Sequence, residues 1–316
     1  MRFLLTLIAV ALVAYAAGFL LSVPANPEVA FWSEVMSRRD REIEEVRKNQ
    51  PDTSIVFFTG GSSTAFSIDP AIIESSSGLP SFNLGLPVAA GAEYLVSQAF
   101  ERTRSGDFLV ICLEPDLLAT SDPEGGPTPL GFAIATMAGA PGLAGGGKAI
   151  GQSLGIRDYF NLSRPGATYL TTLSARLVTG KPYRYSRDDI RYRGRIETPV
   201  RAATPGTSPG SRDLSPQGEQ LLSDIRSEAK RRGVGLAYSM PWQFVESDSV
   251  AAARAVNRSL LEQIGRIIPV IEDDYSGVAD QADWFSDSPQ HLTAAGSSNR
   301  SNSLVRGLGN WLKPSR

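Results

Sequence analysis

With 316 residues, 42% of them hydrophobic and 20% charged, and a net charge of −2, the chain has the composition of an ordinary globular protein and lacks the basic excess that nucleic-acid binding usually requires. Its single cysteine excludes an internal disulfide, and one cysteine with one histidine excludes a zinc site built from the usual nitrogen and sulfur ligands. No metal or other cofactor is therefore expected. In chain order, Arg2 precedes an uncharged apolar run over residues 3–23, about the length that spans a hydrocarbon core of about 30 Å. Residues 1–26 read as a membrane anchor, with the small-residue pattern Ala14-Tyr15-Ala16 leaving a cleaved signal as the alternative. The segment after the run carries only the acidic Glu28 and Glu34 up to Met36. The positive-inside tendency thus leaves the amino terminus in the cytoplasm and the rest outside.

Residues 27–50 read as an amphipathic stalk helix, whose Arg38-to-Arg47 stretch mixes charges at helical spacing, and Pro51-Asp52 stops it. From 51 to 316 the pattern alternates in the α/β manner. A strand is predicted over 54–59, a helix from the Asp69-Pro70 cap, a strand over 81–86, a helix over 91–104 and a strand over 108–114, in which Cys112 reads as a buried structural thiol. An insertion at about 123–215 interrupts this rhythm. Within it Gly142-Leu143-Ala144-Gly145-Gly146-Gly147-Lys148 imitates a phosphate loop, but Ala149 stands where a magnesium-binding hydroxyl is needed, so a turn is the better reading. Residues 181–201 interleave Lys and Arg with Tyr183, Tyr185 and Tyr192, as in a solvated surface insertion or a cradle for an anionic glycan or lipid head group. Residues 204–215 read as a connector. The rhythm returns with a helix over 217–232, a strand over 235–240, a helix over 249–266, a strand over 267–271 and a closing helix from Thr293. The sum is a three-layer α/β sandwich around a mainly parallel five-stranded sheet.

Two features carry chemistry. His291 is the only histidine, so a general base acting near neutral pH is this residue or a retuned carboxylate, lysine or tyrosine. Ile55-Val56-Phe57-Phe58-Thr59-Gly60-Gly61-Ser62-Ser63 reads as a buried strand running into a Gly-Ser turn, where an α/β fold exposes a serine hydroxyl. Ser62, Gly85, Glu114 and Trp242 all follow predicted strands, and ligands of parallel sheets gather at those ends.

Gly60-Gly61-Ser62-Ser63-Thr64-Ala65-Phe66-Ser67-Ile68-Asp69-Pro70 resembles the first block of the SGNH (GDSL-like) hydrolases, in the variant found in membrane-anchored bacterial envelope proteins. Phe82-Asn83-Leu84-Gly85-Leu86 is similar to the second block, and the stretch from Asp287 to Leu292 to the last. The resemblance implies a flavodoxin-like fold with Ser62 as nucleophile in preference to Ser63, His291 as base and Asp287 as its acid. Ser63, Asn83, Gly85 and Glu114 would line the oxyanion side. The chain departs from the family pattern twice. Ser288 stands three residues before His291, where the family has its aspartate, with Asp287 one position further back. Glu114 occupies the stretch where many members carry an oxyanion-stabilising asparagine.

The expected activity is that of a serine esterase or O-acyltransferase on acylated cell-surface or exopolysaccharide glycans, single-pass in the bacterial inner membrane with its main domain periplasmic or extracellular. The alternative is a catalytically silent binding or assembly module of the envelope, because fold alone does not fix function. The sequence points to no protein partner.

Overall fold

A computed structural model of the chain describes residues 1–119, 128–145, 154–163, 174, 177–178, 184–197, 203–206, 212–271, 273–309 and 311–312. Much of the expected insertion, including Lys148, Ala149 and Tyr183, lies outside the described residues.

Helix α1 (Arg2–Ser22) is long and apolar enough to cross a membrane. A turn leads into α2 (Pro27–Asn49), started by Asn26, whose side chain accepts from the Glu28 and Val29 amides, with Pro27 supplying a pre-set first helical residue. This helix does not stand free as a stalk. Val29, Trp32, Val35, Met36 and Ile43 are buried in the main core, because its apolar positions recur at helical spacing and find a partner surface.

The sheet follows: β1 (Val56–Gly60), β2 (Ser81–Asn83), β3 (Phe108–Cys112) and β4 (Gly235–Tyr238), all parallel, in the order β2-β1-β3-β4. Among the described residues the sheet has four strands, not the five expected. At the expected fifth position only a parallel bridge between Tyr238 and Val270 forms, with Tyr238 N–H donating to Pro269 O and Ile271 N–H to Tyr238 O, each at 2.8 Å. Pro269 has no N–H to extend the ladder, which accounts for the shortening.

Strand alternation sends Phe57, Leu109, Ile111 and Tyr238 into one core, with α2, α5 (Ala92–Phe100), α7 (Pro129–Met137) and α9 (Pro216–Arg232). Val56, Phe58, Val110 and Cys112 face the other side, against α4 (Pro70–Ser77) and α11 (Ala294–Leu308). Cys112 is 1% exposed and burial pushes its thiol up to about 12, the signature of an inert packing residue. Between β1 and β3 the chain changes its direction of winding, since β2 lies on one side of β1 and β4 on the far side of β3. Side chains after their carboxyl ends meet in one crevice.

Two further strands, β5 (Gln243–Phe244) and β6 (Val278–Ala279), make a small parallel pair beside this edge. Further helices among the described residues are α3 (Ser62–Ser67), α6 (Asp116–Ala119), α8 (Ile156–Leu162) and α10 (Val250–Gly265).

Candidate active site

Helix α3 begins at Ser62, directly after β1 and Gly61, so the serine occupies the first position of a short helix at the sheet edge. A Cβ at Gly61 would lie 2.1 Å from Glu114 Oε1, so glycine leaves room for the Glu114 carboxyl group against the turn. Helical spacing puts Ser62 and Phe66 on one face, and both meet His291. Ser62 Oγ is 3.0 Å from His291 Nε2, and the Phe66 ring stacks on the imidazole with centroids 4.1 Å apart.

His291 comes from a closed loop. Phe285 and Leu292 form an antiparallel bridge, Ser286 N–H donates to His291 O at 2.8 Å, and His291 N–H donates to Ser288 O at 3.3 Å. This turn brings Asp287, four residues before the histidine, to 2.8 Å between Oδ1 and His291 Nδ1. Within the turn Ser288 Oγ accepts from the Gln290 backbone N–H at 3.2 Å. With Nδ1–H donating to Asp287, Nε2 is left to accept the Ser62 proton, the tautomer a general base requires.

Tyr185, from the segment read as a surface insertion, completes the acid end. It is 7% exposed, packs against Phe31 and Phe66, and its hydroxyl donates to Asp287 Oδ2 at 3.1 Å and lies 3.4 Å from His291 Nδ1. Arg184 adds an ion pair to Asp287 at 3.4 Å. Burial pushes the Asp287 carboxyl up, but the His291 hydrogen bond and charge, with Arg184 and the Tyr185 hydroxyl, outweigh it and hold the group below the usual carboxylate range. Burial, then the Asp287 charge, raises the Tyr185 phenol, so it stays protonated as a donor.

Of the two serines only Ser62 faces the histidine. Ser63 is fully buried and donates from Oγ to Glu114 Oε1 at 2.6 Å, while its amide and that of Gly61 donate to the two Glu114 oxygens at 3.3 and 3.1 Å. Glu114 thus sits beneath the Gly61–Ser63 turn as an acceptor of three bonds. Burial pushes its carboxyl up from the ordinary range, opposed by those hydrogen bonds.

Asn83 and Gly85, expected on the oxyanion side, make hydrogen bonds beneath α3. Asn83 Nδ2 donates to Thr64 O, Ala65 O and Ile68 O, bracing α3 against the end of β2, and its Oδ1 accepts the Gly85 amide at 3.0 Å. Gly85 O in turn accepts from Arg39 of α2 at 2.6 Å, and a Cβ at Gly85 would lie 2.3 Å from the Ala65 amide nitrogen. Gly85 is therefore needed for close packing under α3, and its N–H is already engaged. The Ser62 amide, in the first turn of α3, has no acceptor among the described residues. Trp242 is buried in a separate aromatic cluster and donates from Nε1 to Asp273 at 2.8 Å.

Sequence reasoning did not place Phe66 or Arg184 at the site, and it read Tyr185 only as part of a surface insertion or an anionic cradle. Phe66 was legible in principle, four residues after Ser62, once a helix is read before the Asp69-Pro70 cap. Tyr185 carries no local signal, because its partners stand 102 and 106 positions away. No protein-family model and no curated protein matches the chain.

Proposed function

We propose that this chain is an envelope-anchored serine esterase or O-acyltransferase acting on acylated cell-surface or exopolysaccharide glycans, with Ser62 as nucleophile, His291 as general base and Asp287 as the acid that orients it. The observation that carries the reading is the continuous chain of polar contacts from Ser62 Oγ to His291 Nε2 at 3.0 Å and from His291 Nδ1 to Asp287 at 2.8 Å. The resemblance of the three motif blocks to SGNH hydrolases supports it.

In this reading Ser62 Oγ attacks an ester carbonyl while His291 Nε2 takes its proton, giving a tetrahedral intermediate. The intermediate collapses to an acyl-serine as the leaving alcohol takes the proton back from His291. Water or an acceptor glycan hydroxyl then attacks the acyl group, passes its proton to His291 and regenerates the serine. The Ser62 amide is the first donor available to the developing oxyanion, a role worth about 3 kcal/mol for a well-placed N–H.

The membrane side of the reading rests on α1 and its flanks. Arg2 and the amino terminus would lie in the cytoplasm, α1 would cross the inner membrane once, and the main domain would be periplasmic or extracellular.

A second reading, a silent binding or assembly module, is favoured by one observation: the Gly85 amide is engaged by Asn83 Oδ1 and a buried carboxylate stands beneath the nucleophile turn. A fluorophosphonate probe applied to the full-length protein in detergent separates the two. The enzyme labels at Ser62, and the Ser62→Ala variant does not. Absence of labelling in a folded wild type favours the silent module.

A further inference from the structure

The first 14 residues are exposed throughout, whereas from Tyr15 onward α1 packs against the domain, with Gly18 buried and Phe19 against the main core. The free part of α1 is thus residues 2–14, about 20 Å at the rise of an α-helix. A hydrocarbon core is about 30 Å thick. On the side of α1 away from the domain, Leu20 is 56% exposed, so the apolar surface there continues to the end of the helix. For α1 to span, the flank of the domain beside its last two turns has to occupy the remaining depth of about 10 Å.

The element on that flank is α8. The Phe160 ring packs against Tyr15 with centroids 5.2 Å apart, the Tyr15 and Ser163 hydroxyls are hydrogen-bonded, and Tyr159 meets Phe132 of α7 edge-on at 5.6 Å. Although held at these points, α8 turns its apolar side chains outward: Ile156 is 79%, Phe160 55% and Tyr159 37% exposed. Nearby on α7, Met137 is 43% exposed. Tyr15 stands seven residues before Ser22, about 10 Å along the helix, which puts α8 at the depth where interfacial helices bury their apolar faces, about 5–10 Å into the boundary of head groups and acyl chains. Asp158 is turned back to accept the Gly155 amide at 2.9 Å, and Arg157 has a long stem that can carry its charge to the head groups.

We propose that α8 is a second membrane contact, a monotopic foot whose Ile156, Tyr159 and Phe160 enter the lipid of the leaflet surrounding the outer end of α1. The proposal rests on α1 being inserted, as in the functional reading above. Its consequence is a fixed height for the site. At the elbow between α1 and α2 lies a cavity of about 370 Å³ lined by Pro24, Asn26, Phe31, Glu34, Tyr185 and Arg187. Tyr185, at its wall, touches Asp287. With α8 in the lipid, this cavity and the triad behind it sit at the bilayer surface.

Nitroxide quenching in vesicles tests the proposal on the full-length protein. Ile156→Cys, Phe160→Cys, Leu7→Cys and Ser298→Cys are each labelled with an environment-sensitive fluorophore. Cys112 is buried, and unsubstituted protein gives its background. The vesicles are phosphatidylcholine with phosphatidylglycerol, containing lipids that carry a nitroxide near the head of the acyl chain. The foot predicts that probes at 156 and 160 are quenched severalfold more than the water reference at 298, alongside lipid-like emission at 7. Water-like probes at 156 and 160 beside a lipid-like probe at 7 overturn the foot alone and leave that face for a protein partner. A water-like probe at 7 removes the anchor and the foot together.

Discussion

The Tyr185 hydroxyl donates to Asp287 Oδ2 at 3.1 Å across 102 positions of sequence, so the segment between β3 and β4 contributes directly to the Asp287 end of the Ser62–His291–Asp287 arrangement. Asp287 keeps its other oxygen for His291, and Arg184 neutralises the pair from outside. A carboxylate held by three partners fixes the rotamer of the imidazole it orients.

Tyr185→Phe keeps the ring between Phe31 and Phe66 and removes only this donor. Loss of one hydrogen bond to a charged group, about 1.5 kcal/mol, predicts about a tenfold fall in kcat/KM on an aryl acetate with little change in melting temperature. Unchanged kinetics would reduce Tyr185 to a packing residue.

The proposed triad makes a prediction about additivity. Ser62→Ala and His291→Ala are each expected to remove nearly all esterase activity, by about a factor of 10⁴ or more, and the double variant to be scarcely worse, because the members act as a unit. Asp287→Asn keeps the shape of the turn but offers His291 Nδ1 an amide in place of a carboxylate. It is expected to cost nearly as much as losing the histidine. Steady-state rates on one model ester, with the three variants and the double variant side by side, check all of these. Multiplicative losses in the double variant would mean that Ser62 and His291 do not share one step.

What the sequence disclosed and what it hid divide along physical lines. Ser62 and His291 were legible because each sits in a local pattern, a strand running into a Gly-Ser turn and a short polar loop before a helix. That Asp287 reaches His291 from four residues away depended on the turn closed by Ser288 and Gln290, which spacing alone does not specify. The helix α2 was legible as a helix, but its docking was not, because the surface covering Trp32 and Met36 is assembled from distant elements. The fifth strand failed at Pro269, a residue whose missing N–H was visible in the sequence and outweighs the apolar run around it. The hydrogen bonds of Asn83 to Thr64, Ala65 and Ile68 and of the Gly85 amide to Asn83 were not legible, because a motif names a residue type and not the acceptor its hydrogen bonds find.

Arg39 shows how far α2 is built into the domain. It is 1% exposed, donates to Gly85 O at 2.6 Å and Gly194 O at 3.2 Å, and burial followed by the nearby Arg102 charge lowers its guanidinium to about 9. Arg39→Met fills similar space but leaves both carbonyls unpaired in the interior. The expected loss is about 2–4 kcal/mol, read from urea unfolding. A loss below about 0.5 kcal/mol would mean that water replaces the guanidinium and that α2 is loosely held.

Asp287 also sets an acid limit. Its folded carboxyl is held below its ordinary value, so the stability it contributes is present above the unfolded value and is lost as pH falls through the folded one. In urea titrations between about pH 2 and pH 5, the wild type should lose stability toward acid more steeply than Asp287→Asn. Parallel curves would mean that the His291 and Tyr185 contacts do not favour the charged form.

Glu114 carries the opposite sign. Burial raises its folded carboxyl above the unfolded value, so its contribution is full below the unfolded value and is lost as pH rises through the folded one. Glu114→Gln removes that titration, and its denaturation midpoint should decline less than that of the wild type between acid and neutral pH. The same substitution sets an amide N–H₂ against the Gly61 amide or the Ser63 donors, which need acceptors, at a cost of about 1–3 kcal/mol for the unmatched donors. That cost falls on the turn that aims Ser62, so fluorophosphonate labelling of Glu114→Gln should slow even at temperatures where the protein is fully folded. Ser63→Ala, which removes one donor and leaves the two amide bonds to Glu114, should lose stability but keep most of its labelling rate. Faster labelling in Glu114→Gln than in the wild type would instead mean that the carboxylate opposes the oxyanion more than it braces the turn.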